Sequence, residues 1–230
     1  MNATDQPPIV LLHGWGGSFN ATWANNGWLS EIASRGRCVI EVDIPGHGIT
    51  RASNDPGDYA DLAGMLRKKI PEGTLVDAIG YSLGAKLLLA LAMRDPDRYR
   101  RLVVAGLGAN AFAPEPQGEA VAAALENGTN ETTPPPVKVL VDYALSAGND
   151  PQALAAVLRR MPNPVITPIQ LAQVTQPTLL IVGDRDAIAM PVKPLLDALP
   201  HATCQLLSGV DHLSLPANLD FRSAALAFLN

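Results

Sequence analysis

Short, largely apolar runs alternate along this chain with longer stretches in which apolar and polar positions recur at helical spacing. Ile9-Val10-Leu11-Leu12 comes first, and an unbroken apolar run of that length predicts a strand buried on both faces. Similar runs over 38–42, 75–79, 102–107, 178–182 and 203–207 predict five more strands. Helices are predicted over 21–33, with a break at Asn25-Asn26-Gly27, over 59–70 up to Pro71, and over 85–93, 191–199 and 219–229. Strands alternating with helices imply an α/β chain with a mostly parallel, doubly wound sheet.

From Gly108 to Val174 the rhythm changes. Ala-rich helical pieces over 119–125, 137–145 and 151–160 are separated by Thr133-Pro134-Pro135-Pro136 and by Pro162-Asn163-Pro164. This is too long for a plain connection between strand and helix. A small helical cap over 108–174, inserted in one domain spanning 1–230, is expected. Phe112, Val139, Leu140, Tyr143, Leu154, Val157, Leu158 and Met161 are candidates either to line a pocket beneath it or to pack inside it.

The 230 residues are 47% apolar and 17% charged, which suits a folded chain with a sizeable core. A net charge of −5 with no basic stripe argues against a nucleic-acid partner. Cys38 and Cys204 sit inside strand-like runs and are expected as buried thiols, neither a disulfide nor a metal pair. The histidines and cysteines show no ligand spacing, so neither a metal nor a cofactor is expected. No run approaches the ~20 apolar residues of a membrane span, and the first residues carry no secretion signal, so a cytoplasmic location is expected. Asn-x-Thr triplets at Asn2, Asn20, Asn127 and Asn130 then read as ordinary polar loops. Nothing in the sequence speaks to oligomeric state.

The candidate chemistry centres on Gly80-Tyr81-Ser82-Leu83-Gly84, directly after the run at 75–79 and directly before a strong helix former. Strand, sharp turn and helix are the context of a nucleophile elbow, with small residues on either side of the serine. The Leu83 N–H would open the helix and could donate to a developing oxyanion. A serine hydroxyl needs a base, and the base needs an orienting acid. His13 and His47 lie in early glycine turns and read as loop-holding residues, and His201 as solvated. His212 alone is both late and just past the C-terminal end of a strand, the edge where parallel sheets carry ligand sites. In Gly183-Asp184-Arg185-Asp186 either aspartate could be the acid. Asp186 is preferred, Asp184 is the fallback, and Asp211 is a third choice because its side chain would point away from its neighbour's.

These pieces, with His13-Gly14-Trp15-Gly16, Asp43-Ile44-Pro45-Gly46-His47-Gly48 and Gly209-Val210-Asp211-His212, resemble the α/β-hydrolase superfamily over nearly the whole chain. The resemblance implies the α/β-hydrolase fold, with Ser82 as nucleophile, His212 as base, Asp186 as acid, and the Trp15 and Leu83 N–H groups as the oxyanion hole. It implies a serine esterase acting on a small or medium-sized carboxylic ester as its small-molecule partner, similar to the pimeloyl-carrier-protein methyl ester carboxylesterases. The alternatives are a C–C bond hydrolase or a pyruvate-eliminating lyase or synthase on the same site, and, from another class, a non-catalytic ligand receptor. A basic residue near the elbow is shared with the pyruvate-eliminating type, yet Lys86 is read here as a solvated helix residue.

Overall fold

The computed structural model describes residues 6–50, 52–113, 117–161 and 166–230. The Asn2 triplet and the Pro162-Asn163-Pro164 break lie outside them. All six apolar runs are strands: β1 (Ile9–Leu12), β2 (Val39–Val42), β3 (Val76–Tyr81), β4 (Tyr99–Ala105), β5 (Thr178–Gly183) and β6 (Ala202–Leu207). They form one sheet in the order β2-β1-β3-β4-β5-β6, and every neighbouring pair is parallel. The helices are α1 (Phe19–Thr22), α2 (Trp28–Ser34), α3 (Leu62–Arg67), α4 (Leu83–Arg94), α5 (Gly118–Asn127), α6 (Pro135–Ser146), α7 (Pro151–Arg159), α8 (Pro168–Leu171), α9 (Lys193–Ala198) and α10 (Leu219–Phe228).

Successive strand residues point to opposite faces, so each strand feeds two cores. Ile9, Leu11, Ile79, Val103 and Ile181 face Trp23, Trp28 and Phe221. There Trp28 meets the edges of both other rings, at centroid distances of 5.0 Å and 4.8 Å. Val10, Leu12, Ala78, Val104 and Leu180 face α3, α4 and α9 through Leu66, Leu88, Leu89 and Leu195. Asp77 interrupts the apolar run of β3 because its fully buried carboxylate takes two guanidiniums, Arg37 and Arg100, each at 2.5 Å.

Between β4 and β5, α5, α6 and α7 pack on one another through Val121, Leu125, Val137, Val141 and Leu154, a cluster separate from the two sheet cores. The short α8 that follows was not foreseen. Thr167 and Gln170 cap it reciprocally.

Two expectations are corrected. The helix over 59–70 is a 3₁₀ turn at Pro56–Tyr59 followed by α3, because Asp61 caps a new start by accepting the Gly64 N–H at 3.0 Å. The cysteines are not buried: Cys38 is exposed and Cys204 is half-buried. Both belong to edge strands or their approach, where one side lacks a neighbour. An apolar run does not by itself distinguish edge from centre.

The sheet grows from β1 to β2 on one side and from β1 to β3, and onward, on the other. The chain therefore reverses its winding at β1 and β3. A crevice opens beyond the carboxyl ends of strands at such a reversal. The loops leaving β1 and β3 are those that carry Trp15 and Ser82.

Candidate active site

Ser82 stands between β3 and α4 at φ 53°, ψ −116°, the one positive-φ residue other than glycine among the described residues. Such a backbone costs on the order of 1–3 kcal/mol and persists only where its surroundings enforce it. Here the Ser82 N–H donates to Ala105 O at 2.9 Å, which ties the turn to β4. The flanking glycines are steric necessities. A Cβ on Gly84 would lie 2.3 Å from Leu12 O and 2.4 Å from His13 O, and one on Gly80 2.6 Å from Gly84 O. Leu83 opens α4, so its N–H has no carbonyl one turn back to bond. The loop after β1 runs alongside: a Cβ on Gly14 would stand 3.2 Å from Ser82 Cβ.

Ser82 Oγ lies 3.0 Å from His212 Nε2, and His212 Nδ1 lies 2.7 Å from Asp186 Oδ2. The loops after β5 and β6 make this meeting possible by zipping together. Asp184 N–H donates to Leu207 O at 2.9 Å and Arg185 N–H to Val210 O at 3.0 Å, while Asp184 Oδ1 accepts the Gly209 N–H at 2.7 Å. Asp184 thus holds the two loops, and Asp186, fully buried, turns inward. Its other oxygen accepts the N–H groups of Ile188 and Ala189 at 3.0 Å and 2.9 Å. Asp211 faces its own loop, accepting the Ser214 N–H at 2.9 Å. With Asp186 accepting the hydrogen bond of Nδ1–H, the Nε2 lone pair of His212 is left toward the serine hydroxyl.

Tyr81 was not anticipated. Its hydroxyl donates to His212 O at 2.7 Å and its ring lies 5.2 Å from the imidazole. Burial pushes its phenol well above the ordinary 10, so it remains a donor. The signal in the sequence was parity: Tyr81 comes two residues after Ile79 in β3 and so shares its buried face, while its place against His212 is seen only in the fold.

Lys86 is a correction. It is buried rather than solvated, with Nζ donating to Ala113 O at 3.2 Å. One turn after Ser82, it faces the segment that follows β4, a neighbour that helix periodicity does not reveal.

A cavity of about 710 Å³ opens over Ser82 and His212. Trp15, Leu83, Leu107, Val121, Ile188 and Leu213 give it a mainly apolar lining. Of the eight residues expected to line or pack, Val139, Leu140, Tyr143 and Leu158 line it. Leu154 and Val157 are fully buried in packing, Phe112 packs against a sheet core, and Met161 is exposed. His13 accepts the Ile44 N–H at 3.0 Å, which binds the loop after β1 to the loop after β2. Among the described residues no helix is long and apolar enough to cross a membrane.

Comparison with known proteins agrees with this architecture. The family model described as alpha/beta hydrolase fold matches residues 7–134. The chain is 35% identical over 97 residues to a pimeloyl-[acyl-carrier protein] methyl ester esterase of Vibrio parahaemolyticus, covering 42% of this chain and 35% of that protein. It is 40% identical over 104 residues to a 2-hydroxy-6-oxo-2,4-heptadienoate hydrolase of Pseudomonas putida, covering 43% and 37%. Each match thus spans little more than a third of the relative's own length. Among solved structures, the enol-lactonase from Burkholderia xenovorans superposes with a TM-score of 0.78 at 21% identity, over 100% of this chain and 93% of that one. By its matched family model, its parallel sheet and its strand–turn–helix elbow, the chain belongs to the alpha/beta hydrolase fold family.

Proposed function

We propose that the protein is a serine hydrolase that cleaves a small or medium-sized carboxylic ester through an acyl-enzyme. One observation carries this reading: the Ser82, His212 and Asp186 side chains make one continuous chain of contacts, 3.0 Å and 2.7 Å long, beneath the 710 Å³ cavity. Ser82 Oγ attacks the ester carbonyl as His212 Nε2 takes its proton, and Asp186 steadies the imidazolium that forms. The tetrahedral oxyanion rests on the N–H groups of Leu83 and Trp15. His212 returns the proton to the leaving alcohol, and water then repeats the sequence to release the acid. Residues 108–174 act as a cap whose α6 and α7 roof the acyl chain. The partner is a small molecule, and the work is done in the cytoplasm.

The test is hydrolysis of p-nitrophenyl esters of increasing chain length by the wild type and by Ser82→Ala. We expect turnover by the wild type and a loss of about 10⁴-fold or more in the variant. Equal turnover by both, or none by either, would remove the reading. A second reading uses the same residues to hydrolyse a carbon–carbon bond, and the 40% identity to the Pseudomonas putida hydrolase favours it. It requires slow turnover of every simple ester and fast cleavage of a vinylogous diketone acid.

A further inference from the structure

The junction between α6 and α7 holds a residue that none of the chemistry above uses. Asn149 is 7% exposed, and its carboxamide is fully engaged. Nδ2 donates to Gly16 O at 2.7 Å, to Ala144 O at 3.1 Å and, more weakly, to Gly17 O at 3.3 Å. Oδ1 accepts the Gly48 N–H at 2.8 Å. One side chain therefore joins the loop after β1, the loop after β2 and the end of α6, across 133 residues of sequence in the longest link.

Its main partner is the turn that carries Trp15. Residues 14–17 close a four-residue turn with the Gly17 N–H donating to Gly14 O at 3.2 Å. Gly16 occupies the third position at φ 74°, which is what a type II turn asks of that place. Trp15 is second, and the orientation of its N–H follows the pitch of the whole turn. A turn of four residues with three glycines has little side-chain packing to fix that pitch. His13 Nδ1–H holds the first carbonyl, Gly14 O, at 2.8 Å, and Asn149 holds the carbonyls of the third and fourth residues, so the two side chains fix the turn at both ends.

The helices between β4 and β5 reinforce this grip. A Cβ on Gly16 would lie 3.0 Å from Ala144 Cβ, and one on Gly17 would lie 3.1 Å from the Tyr143 hydroxyl, so α6 rests on bare turn backbone. The Trp15 indole N–H reaches Leu154 O of α7 at 3.5 Å.

We propose that Asn149 is a positioning residue of the oxyanion hole, aiming the Trp15 N–H at the carbonyl oxygen that Ser82 attacks. The proposal rests on the ester-hydrolase reading and on the role given there to Trp15. Asn149 touches no reacting atom. It acts through the turn, and it makes the geometry of the hole depend on the seating of α6. Its contribution grows as charge develops on the substrate oxygen, so it belongs to the transition state more than to ground-state binding.

The experiment compares wild type, Ser82→Ala, Asn149→Asp and Asn149→Ser on the p-nitrophenyl ester the wild type turns over fastest. Asn149→Asp keeps the shape and the acceptor toward Gly48 but loses the donors. Asn149→Ser guards against a variant that fails to fold. Active sites are counted by end-point labelling with a fluorophosphonate, so unfolded protein does not enter kcat. The affinity of an alkyl trifluoromethyl ketone, whose adduct with Ser82 places an oxyanion in the hole, is measured alongside.

We expect kcat per labelled site to fall about 10- to 100-fold in both Asn149 variants, KM to stay within about threefold, and ketone affinity to fall in step with kcat. A merely structural asparagine would lower the number of labelled sites and leave kcat and ketone affinity of the remainder near wild type, and that result overturns the proposal. So does a fall in kcat with ketone affinity unchanged. If the wild type is active and Ser82→Ala is not, either failure belongs to Asn149 alone. A wild type that turns over no ester removes the functional reading and this inference with it.

Discussion

Asp186 and Asp184 are two residues apart in one turn, yet their carboxylates do different things. Asp186 has both oxygens committed, one to His212 and the other to the N–H groups of Ile188 and Ala189. Asp184 uses one oxygen to hold the Gly209 N–H. Asp186→Asn is expected to lower kcat on a p-nitrophenyl ester by about 10⁴-fold, because an amide placed there favours the wrong imidazole tautomer. Asp184→Asn is expected to leave kcat within a few-fold and to lower the melting temperature slightly. Steady-state kinetics on the pair distinguish them, and a large kcat loss in Asp184→Asn would reverse the assignment. At this scale the sequence narrowed the acid to a short turn and preferred Asp186. It could not show how the turn folds against the loop after β6, and that packing separates the two. Lys86 is the opposite case: its helix was legible, but the surroundings of its side chain were not.

At the scale of elements, the elbow works because β3 and α4 meet with almost no room between α4 and β1. Gly84 is where this is tightest, with Leu12 O and His13 O both facing the space a Cβ would fill. Neither is a side chain that can swing away. Gly84→Ala must push α4 from the sheet and carry Ser82 with it. The change is expected to cost about 3 kcal/mol or more in stability. It should also lower kcat per labelled active site by about 100-fold, since displacements near 1 Å have that effect. Thermal unfolding together with fluorophosphonate-normalised kinetics would check both, and a wild-type kcat would mean the elbow tolerates the shift. The elbow, its strand and its helix were plain in the local order of residues. The broken helix near Asp61 was not, because a cap residue inside an apolar periodic stretch is outweighed by the pattern around it.

For the molecule as a whole, acid is the condition that should loosen the loops around the site. His47 is fully enclosed, and burial, followed by the charge of nearby His13, lowers its pKa from 6.5 to about 3. Its Nδ1–H donates to Pro45 O at 3.3 Å, while Nε2 has no hydrogen-bond partner among the described residues. The folded protein therefore keeps His47 neutral where the unfolded chain would protonate it. Its stabilising contribution is complete above pH 6.5 and is lost progressively as pH falls from there toward about 3. Asp43 adds a loss at lower pH. Burial raises its pKa, but the nearby His13 ring and the hydrogen bonds from the N–H groups of Phe19 and Ile49 prevail and hold it at about 2, below the usual 3.8. Melting temperature against pH should fall below 6.5 in the wild type and fall less steeply between 6.5 and 4 in His47→Gln. Parallel curves would show that His47 is not the group that titrates.

The order of elements, the parallel sheet, the elbow at Ser82 and the late position of His212 all follow from neighbours in the chain. Strand periodicity, turn chemistry and helix propensity act over a few residues and leave their pattern in the sequence. Other features depended on contacts between residues far apart. The zipper between the loops after β5 and β6 turns Asp186 inward, the edge positions expose Cys38, and α6 seats Asn149 on the turn after β1. A carboxamide in a polar stretch between two helices has no distinctive local signature. Its meaning came from three backbone segments converging on it, and only the folded chain brings them together.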